Sequence, residues 1–109
     1  VSIDHYLATY GTLGPGRPNH HKLAPLGGIW RDGVVRGHLV DAGWGAAMGY
    51  PALKLEPEGE EIFVQLLHCD LLPTQWAALD AFEGDGYRRV ATTVTTTDGT
   101  FSAWIYVAA

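Results

Sequence analysis

The sequence predicts an α+β domain: a mainly antiparallel, strongly curved sheet closed into a small β-barrel, flanked by one main helix and short helical turns. Three observations predict it. About six or seven stretches rich in β-branched and aromatic residues follow one another with short turns between them. Two Asp-Gly pairs, Asp32-Gly33 and Asp98-Gly99, carry the hairpin signature. Only Pro73–Phe82 has convincing helical spacing. With 109 residues, 47% of them hydrophobic, the chain is expected to form one domain over residues 1–109 with a single modest core.

Taken in order, Tyr6–Tyr10 suits a short buried strand, and Gly11-Thr12-Leu13-Gly14-Pro15-Gly16 follows as a glycine-rich loop. Arg17–Leu26 lies between prolines and predicts one short helical turn, with Asn19 as its cap. Gly27–Arg31 and Val34–Val40 read as two strands around the Asp32-Gly33 turn, the second with the mixed pattern of a strand covered on both sides. Asp41–Pro51, with Gly43-Trp44-Gly45 and Gly49-Tyr50-Pro51, is irregular, and its glycines predict a bend. Ala52–Glu56 is a short strand, Pro57–Glu60 a turn and Glu61–His68 the most apolar strand. In the helix, Pro73 suits the first position, Trp76, Leu79 and Phe82 share a face, and Gly84 ends it. Tyr87–Thr97 and Thr100–Val107 form the last hairpin through Asp98-Gly99.

The net charge of −5 argues against nucleic acid or an anionic membrane as the main partner. No run approaches the roughly 18 apolar residues of a membrane span. The lone Cys69 cannot form an internal disulfide, so the cytoplasm is the expected compartment. A monomer or weak homodimer is the default expectation.

Two stretches can carry chemistry. The loop after the first strand is either a plain turn or an anion cradle, since glycines let successive N–H groups converge on a carboxylate or phosphate. It matches neither the P-loop nor the dinucleotide fingerprint. The second stretch is Leu79–Arg89, where Glu83 falls on the last helical turn. The negative end of the helix dipole and the apolar neighbours Trp76, Leu79 and Phe82 both disfavour its ionised form, moving its pKa toward the range of a general acid/base. The alternative is a solvated acid paired with Arg88 or Arg89. His5, His20, His21, His38, His68 and Cys69 show no zinc-ligand spacing. Cys69 reads as a small core residue, and neither Ser2 nor Ser102 sits in a nucleophile context. Tyr10, Tyr50, Tyr87 and Tyr106 read as core aromatics whose hydroxyls need partners.

Taken together, Tyr10-Gly11-Thr12-Leu13, Gly49-Tyr50-Pro51, Leu79-Asp80-Ala81-Phe82-Glu83-Gly84, Tyr87-Arg88-Arg89 and Ala103-Trp104-Ile105-Tyr106-Val107 resemble one family, in order and spacing. It is the γ-glutamylcyclotransferase-like family, and in particular its small single-domain members, which include γ-glutamylamine cyclotransferases and uncharacterised bacterial proteins. The resemblance implies a small β-barrel with a pocket between the first loop and the helix exit. It implies cyclisation of a γ-glutamyl group to 5-oxoproline by intramolecular aminolysis, with release of the amine and no metal or organic cofactor. Tyr10, Gly11, Thr12 and Leu13 would bind substrate, chiefly through backbone N–H groups, and Glu83 would be the general acid/base. Tyr50, Tyr87 and Arg89 would complete the substrate-binding set, Tyr87 and Arg89 by shaping or supporting the site. Gly14-Pro15-Gly16 and Asp41–Ala52 would set specificity. Two other readings keep the fold: a small-metabolite binding module without turnover, and removal of a γ-glutamyl protecting group in a biosynthetic pathway.

Overall fold

A computed structural model describes residues 2–42, 44, 47 and 49–109. Among the described residues six strands and one α-helix form the frame, in the order β1 (Tyr6–Thr9), β2 (Ile29–Val40), β3 (Ala52–Leu55), β4 (Glu60–His68), α1 (Trp76–Glu83), β5 (Tyr87–Thr96) and β6 (Gly99–Ala108). The sheet order is β3-β2-β4-β1-β6-β5, and β2 also meets β5 at Val34 and Thr95, which closes the barrel. All pairings are antiparallel except β1 with β6, where Leu7 faces Trp104 and Ala8 faces Ile105.

The Asp32-Gly33 hairpin is not formed. β2 runs unbroken from Ile29 to Val40, and Ile29–Gly37 pairs residue by residue with His68–Glu60 of β4. Ladder bonds over that whole length outweigh the local turn preference of two residues. Gly33 serves closure instead. A Cβ there would lie 2.6 Å from Val94 Cγ1 and 2.9 Å from the Thr95 carbonyl oxygen, so only glycine lets β5 pass this close. Nor is β2 covered on both sides: Gly33, Val35 and Gly37 are buried, while Asp32, Arg36, His38 and Leu39 are exposed. The Asp98-Gly99 hairpin does form, with Gly99 at φ +116°.

Two apolar clusters flank the barrel wall. Ala8, Val35, Val64, Leu66, Val94 and Ile105 belong to the cluster that fills the barrel. Leu7, Leu13, Leu23, Leu67, Leu72, Trp76 and Leu79 form the second, which packs α1 and the short turns on the outside. β1 contributes to both clusters, so all four of its residues are buried, as its apolar composition predicts.

The helical elements differ in detail from the sequence expectation. Arg17–Leu26 holds two 3-10 turns, His20–Lys22 and Ala24–Leu26, and Asn19 stands before the first without a side-chain cap bond. A further 3-10 turn, Ile3–His5, is capped by the Ser2 hydroxyl, which accepts from the Asp4 amide. Pro73 lies in a separate 3-10 turn, Leu72–Thr74, ahead of α1. Gly84 ends α1 at φ +75°, and its amide donates to the Asp80 carbonyl. Of the glycines expected to bend Asp41–Pro51, Gly43 and Gly45 lie outside the described residues, while Gly49 takes φ +82°. No helix is long and apolar enough to cross a membrane among the described residues.

Candidate active site

The parallel strands β1 and β6 bring Tyr10 and Tyr106 to one end of the barrel, where α1 also finishes. There a cleft of about 420 Å³, counting its open mouth, is lined by Thr9, Tyr10, Gly11, Thr12, Leu13 and Glu83, with Trp44, Tyr50, Pro51, Tyr87 and Tyr106 around them. The structure therefore gathers the early loop and the late acid, some seventy residues apart in sequence, around one space.

Hydrogen bonding fixes the loop by its carbonyl groups. Thr12 O accepts from the Asn19 amide (2.8 Å) and Gly14 O from the Arg17 amide (2.9 Å). Leu13 O lies 2.9 Å from His20 Nδ1, which donates to it as the Nδ1–H tautomer. Across a trans peptide the carbonyl of one residue and the N–H of the next point in opposite directions. Anchoring Thr12 O and Leu13 O therefore turns the Leu13 and Gly14 amides away from the segment that holds them. Among the described residues, no main-chain acceptor takes the amides of Gly11, Thr12 or Leu13. Leu13, buried in the outer cluster, keeps the loop seated. Gly11, Thr12 and Leu13 all line the cleft, so among the described residues their amides are left without a main-chain acceptor beside that space, a loop suited to an anionic oxygen.

Glu83 is 8% exposed and belongs to the cleft lining. Its carboxylate forms no ion pair among the described residues. Burial pushes its pKa up from 4.5 to about 7. The pairing with Arg88 or Arg89 is absent: Arg88 is exposed, and Arg89 grips Asp80 through Nε (2.8 Å) and a second guanidinium nitrogen (3.1 Å). The apolar surroundings of the acid extend beyond its own helix. Trp76 and Leu79 belong to the outer cluster together with Tyr106, and Phe82 and Tyr87 pack against it; the cleft itself is walled by Tyr10, Trp44, Tyr50, Tyr87 and Tyr106.

The tyrosines divide into roles. Tyr10 Oη accepts from the Leu53 amide (2.9 Å) and donates to the Tyr106 carbonyl (2.8 Å), so its hydroxyl ties β3 to β6 and burial holds its pKa well above the ordinary value. Tyr106 Oη donates to Asp80 Oδ1 (2.6 Å), and burial raises its pKa as well. Arg89, expected among the substrate-binding residues, is not part of the cleft lining. Its guanidinium lies 4.5 Å from the Trp76 ring centroid and 4.8 Å from that of Trp104, and through Asp80 it braces Tyr106 and the last turns of α1. Arg89 and Tyr106 each hold Asp80 by hydrogen bonds, which keep its carboxyl below its ordinary range.

Trp44, Pro51 and Tyr106 line the cleft without having been singled out as substrate contacts. Trp44 Nε1 donates to the Glu83 carbonyl (2.9 Å), and its ring meets Phe82 and Tyr87 edge-on. The available signal was a tryptophan between two glycines, Gly43-Trp44-Gly45, in a segment with no periodicity.

Comparisons place these features among known proteins. None of the curated proteins matches the chain. An AIG2-like protein of Mus musculus superposes with a TM-score of 0.72 at 24% identity, covering 96% of this chain and 77% of the mouse chain. YkqA of Bacillus subtilis gives a TM-score of 0.70 at 26% identity over 95% of this chain, but 35% of its own. An uncharacterised Pyrococcus horikoshii protein gives 0.63 at 22%, covering 94% and 76%. The mouse and archaeal likenesses, below 25% identity, are likenesses of fold. The sequence itself matches the family model described as gamma-glutamyl cyclotransferase, AIG2-like, over residues 7–109. The chain belongs to the γ-glutamyl cyclotransferase, AIG2-like family.

Proposed function

We propose that this chain is an enzyme that cyclises the γ-glutamyl group of a small amine or peptide to 5-oxoproline and releases the amine. The observation that carries the reading is the shared cleft: a buried carboxyl, without an ionic partner among the described residues, lines the same space as loop residues whose amides meet no main-chain acceptor there. The loop amides of Gly11–Leu13 suit the α-carboxylate or the oxyanion of the substrate, and the aromatic wall suits its methylene chain.

The chemistry follows from those placements. The substrate's ammonium gives one proton to the Glu83 carboxylate, and the freed nitrogen attacks the γ-carbonyl carbon. A ring C–N bond forms and the carbonyl oxygen takes the negative charge, which the loop donors offset. As the tetrahedral species collapses, the old amide C–N bond breaks and Glu83 returns its proton to the departing nitrogen. The ring nitrogen sheds its second proton to water, and the released amine takes one up. A carboxyl with a pKa near 7 suits both transfers. The attack is intramolecular, so holding the substrate folded supplies much of the acceleration, and no protein nucleophile or cofactor enters.

The test is to incubate the protein with γ-glutamyl amines and peptides and assay 5-oxoproline, comparing wild type with Glu83→Gln. Turnover by wild type that falls at least a hundredfold in the variant, as loss of a general acid/base does, supports the reading. Equal rates remove Glu83 from its role. Binding without product from any compound favours the module that binds but does not turn over.

A further inference from the structure

A second groove joins the cleft. It shares Tyr10, Tyr50 and Pro51 with it and continues across Leu39 and Phe63, with Arg17 and Glu61 on its rim. It encloses about 820 Å³, counting its open side, which is the scale of a small-molecule site. Leu39 and Phe63 are 46% and 51% exposed, an apolar floor left uncovered beside the candidate active site.

The charges on the rim are not equivalent. Glu61 already faces Arg36, with 3.6 Å between carboxylate oxygen and guanidinium nitrogen. Arg17 has no such partner among the described residues. Of the half-buried arginines, Arg31 pairs with Asp98 and Arg89 with Asp80, while Arg17 forms no ion pair or side-chain hydrogen bond among the described residues. Its guanidinium lies 5.7 Å from the ring centroid of Tyr50, one of the residues that belong to both cavities. The groove thus offers an apolar floor and one uncompensated cation at the border of the cleft.

We infer that the groove is the subsite for the leaving group, and that this group is an α-amino acid with a large apolar side chain, its carboxylate bound by Arg17 and its side chain on Leu39 and Phe63. The inference rests on the cyclisation reading above. It names the substrate as a γ-glutamyl dipeptide rather than a γ-glutamyl derivative of an amine that lacks a carboxylate. A planar guanidinium fork matches a carboxylate in two parallel hydrogen bonds, and the overall charge of −5 makes an unpaired arginine at a groove edge the local exception.

The experiment compares γ-glutamyl-phenylalanine, γ-glutamyl-phenethylamine and γ-glutamyl-glycine as substrates of wild type, Arg17→Met and Phe63→Ser. Wild type is expected to prefer γ-glutamyl-phenylalanine to each of the others by at least tenfold in kcat/KM. Arg17→Met removes the preference over the phenethylamine compound by raising KM for the dipeptide at least tenfold, with kcat for it within threefold. Phe63→Ser, at an exposed position, removes the preference over the glycine compound. Production of 5-oxoproline at equal efficiency from the phenylalanine and phenethylamine compounds overturns the subsite and leaves the cyclisation reading standing. If none of the three yields product, the cyclisation reading fails for these compounds. The groove is then read directly by NMR titration with phenylalanine. Shifts at Tyr50 and Phe63 that vanish in Arg17→Met support the subsite, and their absence in wild type overturns it.

Discussion

Replacing Glu83 by Gln should stabilise the fold at alkaline pH. The carboxyl's pKa stands at about 7 against an ordinary 4.5 because the protein's interior disfavours its charge. That difference corresponds to about 3 kcal/mol, an upper figure for a group beside a cleft. The direction follows from proton counting. Between pH 4.5 and about 7 the folded chain holds a proton that the unfolded chain has lost, so stability is full below 4.5 and declines as pH rises through 7. A neutral amide of the same shape does not titrate. The two proteins should melt close together at pH 5 and separate by pH 8, with Glu83→Gln higher. At roughly 4–8 °C per kcal/mol for a domain of this size, the separation approaches about 10 °C or more. Thermal unfolding of both proteins at pH 5, 6, 7 and 8 reads it directly, since every other titrating group cancels in the difference. Melting curves that stay parallel across that range, or a variant less stable at pH 8, refute the assignment of a desolvated carboxyl.

The remaining expectations concern the same few residues. If the proposed cyclisation holds, turnover should fall as pH drops through about 7, because a protonated Glu83 could not accept the substrate's ammonium proton; a kcat/KM profile whose acid limb bends near 4.5 instead contradicts this. Tyr10→Phe leaves the Leu53 amide and the Tyr106 carbonyl without their partner, and chemical denaturation should show a loss of about 2 kcal/mol or more. Gly33→Ala forces a methyl group against Val94 and the Thr95 carbonyl and should cost about 1–3 kcal/mol, with earlier hydrogen exchange at the β2–β5 seam.

Elements with a local cause were legible in the sequence. Gly84 ends α1 because a positive φ is needed there, and Asp98-Gly99 turns because nothing longer competes with it. Asp32-Gly33 has the same two-residue signature and failed, since the long β4 register and the passage of β5 are decided by residues thirty and sixty positions away. Glu83 could be picked out by its place at a helix end. Its lack of an arginine partner could not, because Asp80, one turn earlier, takes Arg89. The aromatic wall was equally hidden. Trp44, Tyr50 and Pro51 come from an aperiodic segment, and only the closed barrel brings them against the acid.

Tyr10 walls the cleft with its ring and joins distant strands with its oxygen, so the same side chain is both furniture of the chamber and a bolt of the house. Enlarging the chamber at this position would loosen the building. Reshaping the chamber is therefore cheaper across the aisle, at Tyr50, whose side chain, among the described residues, carries no strand-to-strand hydrogen bond like that of Tyr10.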